Sequence, residues 1–458
     1  MTVEVSPEAS AEASPAANDG ANAGASISRK AAVASWQRFV PGLLLRRDFR
    51  RYWAGHSVSL LGDQISQLAI PLLAVLTAHA GPAQMGYLTA AGLLPYLMFS
   101  LVAGAFADRR GDKRRLMIIA DAGRMAALIC VPVLAATHDL TLPALYAITF
   151  AIGTLSVLFS VCDGTLFASI IEEPAYVEAN TLLNGARAMS FAAGPTASGV
   201  LVQVLGAPVA LLADALSYLY SAVTLGRIRV VEPSGTRGRG WGLGEGLRFI
   251  AHHRVLRTLL AATTTLNLFN YVYSAMFVLY ATRMLGVRPG TLGLVLGAAS
   301  IGALAGAAAT KHLVRRYGLG RAYVFGQILF PAPLVLVPLV GGIVSGMTAG
   351  SRTVLIIGML LLAELGSGFG VMVLDIAAGT VMTAATPDSL RARVAGAQRT
   401  VNYGIRPLGA LLGGFLGTAV GVHAALWIGA VGGLAGALWL IGFPRTGHEE
   451  TPIDLLSY

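Results

Sequence analysis

Several side chains that can bind a proton or an ion stand inside long apolar stretches of this sequence. An ionised group is costly in a lipid interior, so such residues usually pair with one another or mark a transport pathway. They are Asp63, with Gln64 and Gln67 beside it, then Asn267, Asn270, Glu364 and Arg406. A carboxylate at such a position can carry a proton or hold a cation, and the amides and the guanidinium can form hydrogen bonds with a bound molecule.

Asp63 is our first candidate for contact with a proton and a cationic substrate, and Glu364 is the second. The alternative for both is a structural hydrogen bond to a neighbouring helix. Asn267 and Asn270 are expected to line the opposite wall of the same cavity. For Arg406 two interpretations stay open, since it can hold an acid such as Glu364 or attract an anionic substrate.

Three further charged residues in apolar stretches have a structural interpretation. Asp121 and Arg124 are one helical turn apart, and this spacing favours a helix-packing pair. Asp214 stands near the predicted outer end of its stretch. A cap or turn is the favoured interpretation for Asp214, with an external gate as the alternative.

A second group of charges ends an apolar stretch abruptly. Residues 84–107 carry no charge, and the segment GAFADRRGDKRR, residues 104–115, then brings five cations and two acids. Gly104 and Asp108 are one helical turn apart, so the glycine can admit a neighbouring helix and Asp108 can complement the N-terminus of that helix. Simple anchoring of the span by cations on the cytoplasmic side is the alternative.

The composition indicates that lipid surrounds most of these elements. The chain has 458 residues, of which 55% are hydrophobic and only 12% charged, whereas about 25% of the residues of a soluble domain are charged. A helix crosses the hydrocarbon with about 20 apolar residues. The apolar stretches therefore predict an all-α membrane protein with twelve transmembrane helices. The predicted spans are 52–78, 84–107, 116–137, 141–170, 184–205, 208–226, 256–285, 289–310, 322–346, 353–382, 398–420 and 422–442.

The distribution of Lys and Arg predicts that both termini are cytoplasmic, because cytoplasmic loops carry an excess of cations. We expect a disordered cytoplasmic tail over 1–45 and a second cytoplasmic tail over 443–458. Two six-helix bundles, 46–226 and 256–442, are expected to flank a cytoplasmic linker, 227–255, that contains an amphipathic helix. The net charge of +10 is explained by these loops and does not indicate nucleic-acid binding.

The two halves of the sequence repeat one another. Gly111 and Gly318 follow comparable spans 207 residues apart, and Asp163 and Asp375 are 212 residues apart. Two similar six-helix halves are one of the layouts of secondary transporters, in which the substrate binds between the halves near the midplane. The repeat predicts a pseudo-symmetric fold with this organisation.

The charge cluster after the second span resembles the signature of the loop between helices two and three in the major facilitator superfamily. Here the pattern consists of Gly104, Asp108, Arg109, Gly111, Asp112, Lys113 and Arg114. The resemblance implies a cytoplasmic gate that closes in the outward-open state, with Asp108 near the start of helix eleven and a loop arginine paired with Asp163. By the repeat, Asp375 is placed to meet Arg315 or Arg316 in the second half.

The segment SFAAGPTASGVL, residues 190–201, resembles the helix-five motif of antiporters in the same superfamily. The motif residues present are Gly194, Pro195 and Gly199, while Ser190 and Ser198 replace the usual glycines. Proline kinks the helix, and a generic kink is the alternative. Two further segments, FRRYWAGHSVSLLGDQISQLAIPLL (residues 49–73) and LLADALSYLYSA (residues 211–222), resemble the drug:proton antiporter branch that contains macrolide efflux pumps and the enterobactin exporter.

From these features we predict a secondary transporter of the inner membrane and not an enzyme. It would export a small amphipathic molecule by proton antiport and alternating access, as a monomer, and confer antibiotic or multidrug resistance. Its partners would be the substrate, protons and the lipid bilayer, with no nucleic acid, metal or cofactor. The alternatives are a uniporter, an importer or a lipid flippase of the same fold, and a non-transporting sensor or scaffold.

Overall fold

The computed structural model describes residues 42–109, 111–230, 243–344 and 348–441. These residues form helices and the turns between them, without a β-strand in these ranges. The predicted tail over 443–458, most of the predicted N-terminal tail and Trp241 of the predicted linker helix lie outside the described residues, as do the side chains of Asp108 and Arg109.

Twelve helical segments correspond to the twelve predicted spans, and we label them α1 to α12. A short helix, Gly42–Leu45, precedes them. The first six are α1 Arg47–Leu76, α2 Pro82–Arg109, α3 Lys113–Ala136, α4 Leu142–Ile170, α5 Tyr176–Leu205 and α6 Ala207–Gly226. The linker helix follows over Leu243–His252. The second six are α7 Arg254–Leu279, α8 Pro289–Tyr317, α9 Leu319–Ile343, α10 Ala349–Ala384, α11 Asp388–Ala419 and α12 Val422–Ala435.

Within the described ranges, nine helices are long and apolar enough to cross a membrane. The other three, α2, α7 and α11, have 28, 26 and 32 residues and are therefore also long enough to span the hydrocarbon. Two helices depart from regular geometry. The helix α9 is interrupted by a 3₁₀ turn at Ala332–Val335, next to Pro331, and α7 continues into a π-helical turn at Tyr280–Met284.

The helix packing repeats between the halves, as the sequence predicts. In the first half α4 packs against α2 and α3, and in the second half α10 packs against α8 and α9. The contacts between the halves are also related by the repeat, because α2 packs against α11 and α5 packs against α8. The structure is therefore an all-α membrane fold with two pseudo-symmetric halves.

Glycines with positive φ make two of the shortest connections possible. Gly206, at φ 81°, is the single residue between α5 and α6, and Gly318, at φ 84°, is the single residue between α8 and α9. Only glycine adopts this conformation without strain. Gly111, the repeat partner of Gly318, lies outside the left-handed region, so the backbone at 111 does not depend on glycine.

The two ends of the helices differ in charge. We call the end that carries Arg51, Arg114, Arg227, Arg254 and Arg315 the Arg-rich end, and the other the Arg-poor end. At the Arg-rich end of the first half, Arg51 donates a hydrogen bond of 2.6 Å to the carbonyl oxygen of Arg227. Arg114 donates one of 2.5 Å to the carbonyl oxygen of Ile228.

The halves meet closely at the Arg-poor end through glycine. A Cβ atom placed on Gly86 of α2 would lie 2.7 Å from the Cα of Gly414 in α11. Likewise, a Cβ atom on Gly199 of α5 would lie 2.8 Å from the Cα of Gly293 in α8. Both distances are shorter than any normal carbon–carbon contact, so only glycine permits these two backbone crossings.

Among the described residues, three hydrogen bonds join the halves at the same end, one of them 3.5 Å long from Thr196 to the carbonyl oxygen of Gly293. Arg283 donates one of 2.9 Å to the carbonyl oxygen of Val75, and the backbone N–H of Gly290 donates one of 2.9 Å to Gln203. Further contacts between the halves extend to about the middle of the helices, where Ser300 donates a hydrogen bond of 2.6 Å to the carbonyl oxygen of Phe191. The Arg-poor end is thus closed by direct backbone contact.

We predict that Gly199→Ala weakens this closure, because the new methyl group meets the backbone of α8 and overpacking costs about 1–3 kcal/mol. The measurement is the rate of disulfide formation between Gln203→Cys and Gly290→Cys, which the substitution is expected to slow, together with thermal unfolding in detergent. Gly185→Ala on the same helix is the matched control, since a Cβ there has no neighbour within 4 Å. Equal behaviour of the two alanine variants would contradict the prediction.

Candidate functional site

Two polar clusters lie at mid-depth, one within the first half and one mainly in the second half. The first, which we call the Asp63 network, consists of Asp63 from α1, Asp121 and Arg124 from α3, and Asp214 and Tyr218 from α6. The second, the Arg406 cluster, consists of Arg406 and Tyr403 from α11, Asn267 and Tyr271 from α7, and Tyr96 from α2.

Glycine brings α1 against α6 in the Asp63 network. A Cβ atom on Gly62 would collide with the side chains of Asp214 and Ser217, and one on Gly55 would collide with Thr224. The backbone of α1 therefore lies directly on polar side chains of α6. This close approach places Asp63 beside Tyr218, whose hydroxyl donates a hydrogen bond of 2.6 Å to the Asp63 carboxylate.

Arg124 lies at the centre of the network. Its guanidinium forms an ion pair with Asp121 and stacks 4.3 Å from the ring centre of Tyr218 and 4.5 Å from that of Phe159. The predicted pairing of Asp121 with Arg124 is confirmed. Asp121 is 0% exposed and Arg124 only 3% exposed, and Oδ2 of Asp121 and Nε of Arg124 have no hydrogen-bond partner among the described residues.

The interpretation of Asp214 as a cap or a turn is wrong. Its side chain is 0% exposed, and it accepts hydrogen bonds from Ser66 of α1 and, at 2.9 Å, from Ser217 of its own helix. Gly62, the residue before Asp63, lies directly against the Asp214 side chain, so the two acids are neighbours in the packing of α1 on α6. The missed signal was the serine one turn after Asp214, which gives α6 a polar stripe inside an apolar helix.

The Arg406 cluster forms the second polar wall. Arg406 donates a hydrogen bond of 3.1 Å from Nε to the side-chain oxygen of Asn267. Its guanidinium lies 4.0 Å from the ring centre of Tyr403 and 5.3 Å from that of Tyr271. Tyr403 in turn contacts Tyr96 of the first half, with the ring centres 6.0 Å apart.

Of the two interpretations of Arg406, the ion pair with Glu364 is absent from the described residues. Glu364 is 9% exposed and lies near Tyr273, apart from the Arg406 cluster. The Oη atom of Tyr273 is buried without a hydrogen-bond partner in the described part of the chain. The direct contacts of the Arg406 guanidinium among the described residues are thus an amide and two aromatic rings, without an ion pair.

The remaining polar candidates, Gln64, Gln67 and Asn270, differ in how deeply their side chains are buried. Gln64 is buried against Gly194, where a Cβ would collide with its side chain, so these residues hold α1 against α5. Gln67 is exposed and Asn270 is half-buried. Gln64 therefore does not share one polar face with Asp63, as the sequence suggested, because it points towards α5.

Among the side chains that the structure describes, Asp163 and Asp375 do not form the ion pairs predicted for the gate. Asp163 accepts a hydrogen bond of 2.7 Å from Tyr52, with His56 3.9 Å away, instead of one from a loop arginine. Asp375 is exposed and makes no ion pair with Arg315 or Arg316 in the described ranges. Gly104 is buried in α2, and Gly111 is exposed.

The linker helix lies against α11 at the Arg-rich end. Glu245 accepts a charged hydrogen bond of 2.7 Å from Arg393. His253, between the linker helix and α7, accepts a hydrogen bond of 3.4 Å from the backbone of Leu256. Burial lowers the pKa of the His253 imidazole, which favours the neutral form that this acceptor role requires.

We predict that Asp121→Leu destabilises the fold by about 3–5 kcal/mol, because the guanidinium of Arg124 loses its counter-ion in a buried site. Thermal unfolding in detergent measures the effect. The double variant Asp121→Leu/Arg124→Met removes both charges and is expected to recover most of the loss. A single variant as stable as the wild type would show that Arg124 is not desolvated.

Comparison with known proteins agrees with this architecture. The family model described as transmembrane secretion effector matches residues 41–454. The multidrug efflux pump Tap of Mycobacterium tuberculosis is 30% identical over 382 residues, which are 79% of this chain and 85% of the relative. The macrolide efflux protein A of Streptococcus pyogenes is 26% identical over 192 residues, which are 40% of this chain and 44% of the relative.

Among solved structures, a bacterial homologue of the iron transporter ferroportin in an inward-facing state has the same fold. Its TM-score is 0.69 at 14% identity, over 87% of this chain and 98% of that chain. The helical repeat, the buried charges at mid-depth and the family match lead to one conclusion. The chain belongs to the transmembrane secretion effector family of the major facilitator superfamily, and is a multi-pass membrane transporter and not an enzyme.

Proposed function

We propose that this chain exports small amphipathic molecules from the cytoplasm by proton antiport. The observation that carries the proposal is the pair of polar clusters at mid-depth. The Arg-poor end above them is closed by contacts between glycines of the two halves. The Asp63 network offers carboxylates and the Arg406 cluster offers a cation and aromatic rings. A molecule bound between the halves can contact both, as expected of transporters with two similar bundles.

The aromatic rings and the charges suggest the class of substrate. Tyr96, Tyr271 and Tyr403 present ring faces around Arg406, and such faces favour flat or apolar groups. Asp63 is only half-buried and provides a negative charge on the other side. A drug-sized molecule with an aromatic body and a basic group fits this arrangement.

Export as the direction is supported by the names of the relatives, two of which are efflux proteins. Geometry adds support from the antiporter-like segment. Pro195 stands inside α5, and its carbonyl oxygen lies against Gly293, while Gly199 makes the crossing with α8. A kinked helix that seals one end of the cavity is consistent with an exporter that must not leak protons.

The orientation remains our proposal and follows from the cations. If the Arg-rich end faces the cytoplasm, as the positive-inside tendency predicts, both termini are cytoplasmic and the structure is closed towards the outside. The cavity then receives its substrate from the cytoplasm. The inward-facing state of the ferroportin homologue, which has the same fold, supports the same assignment.

The gate residues are proposed to act in the opposite state. When the Arg-rich end closes, Asp163 would exchange Tyr52 for a loop arginine such as Arg114, and Asp108 would approach the start of α11. Asp375 would pair with Arg315 or Arg316 in the same way. The absence of the Asp163 and Asp375 ion pairs among the described residues is consistent with this role, because these contacts are proposed for the state in which the Arg-poor end is open.

The energy source is proposed to be the proton gradient. One charge that crosses a potential of 100 mV changes free energy by about 2.3 kcal/mol, and a pH difference adds to this amount. Exchange requires that the proton and the substrate favour different states of the transporter. A cation at Asp63 and a proton on the same network compete for the same negative charge, which satisfies this requirement.

We predict that Asp63→Asn lowers export at least about tenfold, because a charge-assisted contact to the substrate contributes about 1.5–3 kcal/mol. The measurement uses full-length protein in vesicles loaded with a pH-sensitive dye, with ethidium as the probe. Wild-type protein is expected to move protons when ethidium is added, and Asp63→Asn is not.

Asp139→Asn, an exposed acid at the Arg-poor end, is the matched control and is expected to behave like wild type. Full transport by Asp63→Asn at normal expression would show that our site assignment is wrong. Ethidium movement without proton flux would favour a uniporter or a flippase. Absence of movement for ethidium and for a varied panel of antibiotics would favour a sensor or scaffold.

A further inference from the structure

The Asp63 network contains more negative than positive charge. Asp63, Asp121 and Asp214 are three carboxylates, and Arg124 is the one cation that contacts the network within the described residues. Fully ionised, these four groups would have a net charge of −2, as three negative charges minus one positive. A buried cluster with two excess charges is unstable, so at least one of the carboxylates is expected to bind a proton.

The contacts of each carboxylate indicate which of the three binds the proton. Asp121 forms the ion pair with Arg124, which stabilises its ionised form. Asp63 is half-buried, faces the proposed substrate site and accepts the hydroxyl of Tyr218. Asp214 is 0% exposed and contacts two serine hydroxyls. A serine hydroxyl can donate to a carboxylate or accept from a carboxylic acid, so this site accommodates both forms.

We propose that Asp214 holds the coupled proton and that Asp63 is the carboxyl group through which this proton exchanges with the cavity. The inference rests on the proposed proton antiport and names the group that performs it. The groups that face Asp214 are Asp63 and Ser66 from α1, Arg124 from α3, and Ser217 and Tyr218 from α6.

The transfer is balanced in both states. In the state open to the Arg-rich end, the proton moves from Asp214 to the Asp63 carboxylate and then to water in the cavity, and the charge of a cationic substrate takes its place. In the opposite state, the substrate leaves and water delivers a proton to Asp63 and then to Asp214. Asp63 and Asp214 thus form one pair that exchanges the proton between the cavity and the buried site.

Ser66 is the positioning residue of this pair. It follows Asp63 by three residues on α1, so both side chains lie on one face of the helix. Its hydroxyl contacts Asp214, and Gly62 allows the backbone of α1 to approach closely enough for this contact. Ser66 therefore holds the helix of the half-buried Asp63 against the buried Asp214.

Infrared difference spectroscopy tests the proposal without a substrate. Full-length protein in lipid is titrated with pH, and the carbonyl stretch of protonated carboxyl groups is recorded. The wild type is expected to lose a band as the pH rises, Asp214→Asn is expected to lack this band, and Asp63→Asn and Asp139→Asn are expected to keep it. A band that survives in Asp214→Asn, that disappears in Asp63→Asn or that is absent from the wild type would overturn the proposal.

A serine variant keeps the test decisive if Asp214→Asn does not fold. Ser66→Ala retains the carboxyl group but removes a hydroxyl from it, so the pH at which the band disappears is expected to change by about one unit or more. Ser59→Ala on the same helix is the matched control, because Ser59 is equally buried but makes no hydrogen bond to an acid among the described residues. An unchanged titration in Ser66→Ala would contradict the proposed role of Asp214.

Transport in vesicles separates this inference from the proposed antiport. Asp214→Asn is expected to exchange ethidium across the membrane without a gradient. Its accumulation of ethidium driven by a pH gradient is expected to be at least about tenfold lower than that of the wild type. Accumulation by Asp214→Asn equal to that of the wild type would overturn the proposal. If the wild type itself shows no gradient-driven accumulation, proton antiport is wrong, and the infrared titration still decides whether Asp214 binds the proton.

Discussion

Burial of charge in a lipid-embedded bundle is the constraint on which the central part of this structure depends. An ionised side chain loses its hydration there, and a counter-ion, a hydroxyl or an aromatic face must replace the water. The first half meets this requirement with an ion pair between Asp121 and Arg124, with two ring faces on the guanidinium, and with hydroxyls on the other acids. The second half surrounds Arg406 with one amide and two rings.

These solutions differ in a way that matters for transport. The ion pair of Asp121 with Arg124 is fully enclosed and fixes α3 against α4 and α6, so it behaves as structure. Asp63 and Arg406 are less enclosed and keep part of their charge available to a third molecule. The same constraint therefore produces a rigid support at the buried ion pair and charged groups at Asp63 and Arg406 that remain available for contact with a bound molecule.

Sequence reasoning predicted most of the fold and only part of the site. Hydropathy predicted the helices because each span must be apolar along its whole length, and the repeat of Gly111 with Gly318 predicted the two halves. Depth was harder to predict. Asp214 follows Gly206 closely in sequence, which suggested an end of the helix, but the approach of α1 at Gly62 buries it. Side-chain direction caused the other errors, since the sequence does not show that Gln64 points towards α5.

The sequence also could not predict which side-chain contacts change between the states of the transporter. The gate signature predicts an arginine for Asp163, whereas the structure, closed at the Arg-poor end, gives it Tyr52. A motif describes the contacts of one state, and a transporter spends part of its cycle in another. The Tyr218 hydroxyl on Asp63 was missed for a simpler reason, because a tyrosine in an apolar stretch usually indicates packing.

The glycine crossings have one more consequence. Where Gly86 meets Gly414 and Gly199 meets Gly293, main chain touches main chain with no side chain between. Such a junction has no rotamers to reorder and no ions to hydrate when it parts, so the barrier to separation is set mainly by dispersion forces. These two crossings can therefore part and reseal rapidly and without a dependence on salt, whereas the Arg283 hydrogen bond at the same end and the arginines and aspartates at the other end are expected to respond to ionic strength.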